Sequence, residues 1–154
     1  IYQGLTSKEI TQLEVKDIDL DNGTLYIKAS ANQNRRTLEL SNKQMIVFSK
    51  YIFEVRPKLL LCKTDRLLLS KLGKPILVDS IYSIVEPLKS LFGDRNLNPR
   101  TIRMSVICNW LNDKKISLEQ VQELAGHKWP STTEKYIKVN SENERELINR
   151  FFPL

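Results

Sequence analysis

Four side chains in the last third of the sequence are equipped for chemistry. Arg100 and Arg103 stand three residues apart, His127 is the only histidine in 154 residues, and Tyr136 follows it by nine. Guanidinium groups hold anionic oxygens through forked, bidentate hydrogen bonds. A phenol, with a reference pKa of about 10, becomes a nucleophile once it loses its proton.

The elements that must deliver these groups are readable from their ends. Asn98-Pro99 predicts a helix start, because Asn caps free N–H groups and Pro needs no donor in the first turn. Arg100 and Arg103 then share one helical face. A second helix is expected from about Ser117, with Gln120 as its capping-box partner, and it ends at Gly126, a residue suited to a left-handed cap. His127 falls just past that stop. A third short helix begins near Pro130 to Thr133 and carries Tyr136. Arginine, histidine and tyrosine thus arrive from three consecutive elements. Taken singly, each has a plainer reading: the arginines as a solvated basic face, His127 as a loop residue, Tyr136 as a half-buried packing residue.

As an ordered set, Arg100-Thr101-Ile102-Arg103, Glu123-Leu124-Ala125-Gly126-His127 and Ser131-Thr132-Thr133-Glu134-Lys135-Tyr136 resemble the tyrosine recombinases, or phage-type integrases. Catalytic domains of that family carry His-x-x-Arg, then Gly-His about two dozen residues on, then a nucleophilic Tyr nine residues later. The resemblance extends to Gly4-Leu5-Thr6-Ser7-Lys8-Glu9-Ile10, which looks like the family's first box, Gly-Leu-Arg-x-x-Glu-Leu. Two departures stand out. Thr6 occupies the position of the family's first catalytic arginine, and Ala31 falls where its hairpin lysine would stand. Arg100 replaces the usual histidine, keeping a basic residue there.

The resemblance implies cleavage and rejoining of a DNA strand through a 3′-phosphotyrosine at Tyr136, with Arg103, Arg100 and His127 on the scissile phosphate and neither metal nor cofactor. Such a reaction passes through a pentacoordinate phosphorus whose charge needs preorganised donors, and losing one typically costs on the order of 10²–10³ in rate. The leaving 5′-oxygen also needs a proton, the lysine's family role. With Thr6 and Ala31 in place, a crippled or inactive site is expected. Lys28, Arg35 and Arg36, on the same hairpin, are the candidates to contact DNA and to reach in instead. Thr6 has a local role of its own, since Thr6 with Glu9 spells a capping box. Two rival readings are a recombinase-derived DNA-binding or regulatory protein without catalysis, and a protein-interaction module that has kept the fold only.

Composition agrees with one domain over residues 1–154. The chain is 41% hydrophobic and 27% charged, ordinary for a globular core, and its formal charge of +6 suits a polyanionic partner such as double-stranded DNA. No run approaches the roughly 20 apolar residues of a membrane span, so the cytoplasm is the expected location. Cys62 and Cys108, with no paired spacing, are expected reduced and buried. The family pattern begins at once, which suggests that the first helices and an N-terminal DNA-binding domain are absent.

The predicted fold is α+β and mostly helical, with a small antiparallel sheet. A short helix covers Ser7 to Leu13; Asp21-Asn22-Gly23 is a turn signal, after which Leu25, Ile27 and then Thr37 to Leu40 read as strands of the sheet. The tip from Ser30 to Arg36 should face the partner. Ser41 caps a helix with Met45, Phe48, Ile52 and Val55 inward, ended by Arg56-Pro57. Leu59 to Leu69 reads as loop plus a short extended piece. Asp79 or Ser80 opens a helix with Ile81, Ile84, Val85, Leu88 and Leu91 inward, kinked at Pro87 and stopped at Gly93. A last helix from Asn140-Ser141 carries the apolar strip Leu147, Ile148, Phe151 and Phe152, which by the family resemblance docks on a second protomer.

Overall fold

Thr6 starts the first helix in the computed structural model, which describes residues 2–92 and 97–137. Its hydroxyl accepts the Glu9 N–H at 3.2 Å while the Glu9 carboxylate takes the Thr6 N–H at 2.8 Å, a reciprocal cap on α1 (Ser7–Gln12). A 3₁₀ turn (Val15–Asp17) leads into β1 (Ile18–Asp19), β2 (Thr24–Ile27) and β3 (Arg36–Glu39), an antiparallel sheet in the order β1-β2-β3. Gly23 takes φ +63° between β1 and β2, where Asp19 accepts the Asn22 N–H at 2.9 Å. Register follows the alternation: Leu25 pairs with Leu38 and both are buried, while Tyr26 pairs with Thr37 on the outer face.

That same alternation corrects the expectation for Arg36. The third strand starts at Arg36, one residue before the predicted Thr37, and Arg36 is in phase with Leu38 and Leu40. Period two therefore turns it inward, away from any partner at the hairpin tip. Leu13, Ile18, Leu25, Ile27, Leu38, Leu40 and Leu67 form the core beneath the sheet.

Helix α2 (Asn42–Lys50) continues through a π-helical turn (Tyr51–Val55) into α3 (Arg56–Leu59). Met45, Phe48 and Ile52 pack on the core as predicted, but Val55 is exposed. Pro57 does not end the helix. It stands in α3, which follows directly on the π-helical turn, and the chain stays helical as far as Leu59. The connection after α3 is loop with short pairings: Leu67 donates to the Leu13 carbonyl at 2.8 Å, and Leu69 bridges to Pro75 across the Gly73 turn.

Helix α4 (Val78–Val85) begins slightly before Asp79 and gives way to a 3₁₀ segment (Glu86–Phe92) containing Pro87. Ile81 and Val85 are buried, whereas Ile84, Leu88 and Leu91 are exposed, against expectation. Ile84 lies about 100° round the helix from Val85, and the tighter 3₁₀ winding turns the later residues off the buried face. Helix α5 (Pro99–Cys108) starts at the Asn98 cap, with Asn98 Oδ1 accepting the Thr101 N–H at 3.0 Å. A π-helical turn (Asn109–Asp113) follows, then α6 (Leu118–Ala125), capped by Ser117 and closed by Gly126 at φ +71°, and α7 (Pro130–Glu134). Ile107, Trp110, Val121 and Ala125 make a second core there, against which Tyr136 packs. Cys62 is exposed and Cys108 half-buried, so neither is as enclosed as predicted; both are free thiols. The predicted stop at Gly93, the last helix and its apolar strip lie outside the described residues.

Candidate functional site

Arg103 projects from α5 into the interior and is only 8% exposed. Its guanidinium donates to the Gly4 carbonyl and, at 2.7 Å, to the Ala125 carbonyl, so it ties the start of the chain to the end of α6. Glu9 Oε2 lies 3.8 Å from Arg103 Nη1, and Glu9 Oε1 accepts from Arg36 Nη1 at 2.6 Å. Two buried guanidiniums thus share one carboxylate. Burial pushes the Glu9 carboxyl up, but the Arg36 hydrogen bond and charge, with the Thr6 donors, outweigh it and hold it below its usual range. Burial also lowers Arg103, opposed by Glu9.

Above this cluster the β2–β3 hairpin is fastened to the segment that carries His127. Gln33 forms an isolated antiparallel bridge with His127, and the Asn34 N–H donates to the Gly126 carbonyl at 2.8 Å. With its nitrogen turned toward them, the Gln33 amide donates to the Ala125 and Gly126 carbonyls, both at 2.9 Å. Gly126 is required twice: its φ is left-handed, and a Cβ would run into Arg36 Nη1 and crowd the Asn34 oxygen at 3.1 Å.

His127 is 3% exposed, with Nδ1 2.8 Å from the Thr133 hydroxyl oxygen. Burial, then the charges of Arg103 and Arg36, drop its pKa to about 4 against a weaker pull from Glu9. The ring is neutral at pH 7. Tyr136 lies two residues past the end of α7, in a turn in which its N–H donates to the Thr133 carbonyl at 3.0 Å. Its ring stacks nearly parallel on His127, centroids 6.0 Å apart at 14°.

Arg100, Arg103, His127 and Tyr136 line one cavity of about 340 Å³, joined by Thr6, Gln33 and Tyr82. All four residues singled out in the sequence are brought together. The hairpin cations are not. Arg36 is buried against Glu9; Lys28, half-exposed, is drawn to Glu14 at 2.7 Å and Asp17 at 3.7 Å; Arg35 is exposed, and none of them lines this cavity. Thr6 spends its hydroxyl on the α1 cap, and Ala31 is an exposed residue of the hairpin. Among the described residues no group of three or more His, Cys, Asp or Glu could hold a metal ion, and no helix is long and apolar enough to cross a membrane.

A sequence model of the phage integrase family matches residues 1–143. The chain belongs to that family. Among integrase-family relatives, the tyrosine recombinase XerC of Lactobacillus leichmannii is 30% identical over 156 residues, covering 97% of this chain and 51% of that protein. The tyrosine recombinase XerD of Staphylococcus epidermidis is 31% identical over 153 residues with the same coverage. The chain therefore spans about half the length of the curated relatives it matches. A crystal structure of the site-specific recombinase XerH, bound to palindromic difH substrate in a post-cleavage complex, superposes with a TM-score of 0.76 at 25% identity, over 96% of this chain and 42% of that one. The XerA recombinase shares the fold, with a TM-score of 0.76 at 18% identity over 99% of this chain and 55% of that one. In this member of the integrase family, Arg100, Arg103, His127 and Tyr136 thus share one cavity.

Several contributors to the site are not legible in the sequence. Glu9 shows there only as a capping partner, and its second role depends on Arg36 facing inward. Gln33 and Asn34 carry no local signal, because their partners lie more than ninety residues away. Thr133 sits in the motif ahead of Tyr136, and a hydroxyl six residues after His127 is the one hint available.

Proposed function

We propose that residues 1–154 form the catalytic domain of a site-specific recombinase or integrase that cleaves and rejoins double-stranded DNA through a 3′-phosphotyrosine at Tyr136. The observation that carries this reading is the convergence of Arg103, Arg100, His127 and Tyr136 on a single cavity in a chain of the integrase family. The Tyr136 oxygen gives up its proton to solvent and attacks phosphorus, the bond to the 5′-oxygen breaks, and that oxygen takes a proton from solvent to leave as a hydroxyl; rejoining reverses each change. Arg103 and the exposed Arg100 hold the phosphate oxygens. His127, neutral and hydrogen-bonded through Nδ1 to Thr133, turns Nε2 to the substrate. Arg35 and Lys28 make flanking phosphate contacts, a role that Arg36, inside the domain, does not share. The reaction takes place in the cytoplasm, and self-association on DNA runs through Leu147 to Leu154; deleting residues 151–154 should lower the mass of the DNA complexes.

The test is incubation with a nicked duplex that traps the cleaved strand, followed by detection of a covalent protein–DNA adduct. An adduct that is absent from Tyr136→Phe supports the assignment. An unchanged adduct in that variant removes Tyr136 from the role. The rival reading, a DNA-binding regulator without catalysis, is favoured by Thr6 and Ala31; it is the outcome if no adduct forms while affinity still falls steeply between about 50 and 200 mM salt.

A further inference from the structure

Asn112 stands on the π-helical turn that follows α5, half-buried, with its side-chain amide spent on two carbonyls at once. Its nitrogen donates to Cys108 at 2.9 Å and to Tyr136 at 3.1 Å. The first acceptor belongs to its own helix; the second lies 24 residues on, in the turn that bears the stacked tyrosine. The Cys108 thiol is 4.0 Å from the same Tyr136 oxygen. Helix α7 has ended at Glu134, so Tyr136 stands beyond it, in the turn that follows.

The backbone explains why Asn112 can reach. In the π turn Lys114 donates to the Asn109 carbonyl, five residues back, which widens the helix locally. Asn112 lies on that widened turn, within reach of the Tyr136 carbonyl. On its other side the Tyr136 ring packs with the second core and stacks on His127. The ring's position along the cavity is then set by where the backbone is held.

We infer that Asn112 is a positioning residue: its amide, bridging the Cys108 and Tyr136 carbonyls, fixes the backbone of Tyr136 so that the phenol stays beside His127 and Arg103. The inference rests on the reading of Tyr136 as nucleophile, and the experiment separates the two. Asn112→Leu and Asn112→Asp are close to Asn in size and remove the neutral donor; Asp also sets carboxylate oxygens against carbonyl oxygens. At neutral pH both should speed amide exchange at Tyr136 and Ile137 about five- to ten-fold, the equivalent of one lost hydrogen bond. Adduct formation on the nicked duplex should slow roughly 10²-fold, the usual cost of a misplacement near 1 Å, with DNA affinity unchanged. As pH falls through the ordinary aspartate range, about 4, the carboxyl introduced by Asn112→Asp gains a proton that it can donate to the Tyr136 carbonyl, and exchange should slow again relative to the Leu variant. Equal exchange in wild type and both variants, or no recovery in acid, overturns the inference. Loosened amides with an undiminished adduct rate overturn it as well. A wild-type protein that forms no adduct defeats the cleavage reading alone, since the exchange measurements still decide whether Asn112 holds Tyr136.

Discussion

Replacing Glu9 by Gln should destabilise the domain by about 3 kcal/mol. The side chains of Arg36 and Glu9 are 1% and 6% exposed, and Arg36 Nε and Nη2 already lack partners, so the guanidinium depends on this carboxylate. Removing one member of a buried ion pair costs about 3–5 kcal/mol because the other charge is left uncompensated. Glu9 takes the Thr6 N–H on Oε2 and Arg36 on Oε1, and Gln keeps one acceptor oxygen, enough for Arg36 but not for both, which places the loss at the lower end. Against a total of about 5–15 kcal/mol for a domain, that is a large fraction. Urea unfolding followed by tryptophan fluorescence measures it, because Trp110 is buried and reports on the second core. The double variant Glu9→Gln with Arg36→Met removes the stranded charge and should recover most of the loss, giving a coupling of about 2 kcal/mol. A cost below about 1 kcal/mol for Glu9→Gln, with an unchanged denaturant slope, would refute the reasoning that this pair holds the site's floor.

Two further outcomes follow from the same neighbourhood. His127 has its folded pKa lowered to about 4, so the unfolded chain gains a proton first on acidification; stability should be constant above pH 6.5 and fall by up to about 3 kcal/mol as pH drops through that value towards 4, a slope that His127→Gln abolishes in thermal melts. Gly126→Ala, which forces a side chain into a left-handed φ and against Arg36, should lose more than about 1 kcal/mol and expose the Asn34 amide to exchange.

What can be read in the sequence is what is decided locally. Asn98, Ser117 and Gly126 each mark a helix end because a cap is a contract among residues three or four apart, and all three ends fall where expected. The convergence of Arg103, His127 and Tyr136 is legible through the family resemblance that their ordered motifs carry, since each residue taken singly has a plainer reading. Arg36 departs from expectation because the third strand reaches one residue closer to the hairpin tip than Thr37, so the alternation that buries Leu38 and Leu40 takes in Arg36 as well. Periodicity alone places Ile84 and Val55 in the core, but which part of an apolar stripe is covered depends on neighbours far away in sequence. The clasp between the hairpin and Gly126 is invisible for the same reason.

Thr6 illustrates how a departure from the family pattern can be built into the fold. Its hydroxyl donates to Glu9 Oε2 at 2.9 Å and accepts the Glu9 N–H at 3.2 Å, so the residue that lacks a guanidinium also helps orient the one carboxylate under the site. That carboxylate balances two arginines, and both of those arginines depress His127. An arginine at position 6 would surrender the hydroxyl cap and add a third cation to the surroundings of a single anion. Positive charge beneath the cavity is instead supplied by Arg36 and Arg103, held in place by backbone carbonyls and by Glu9. The floor of the cavity is therefore basic, while Thr6, on its lining, serves the cap.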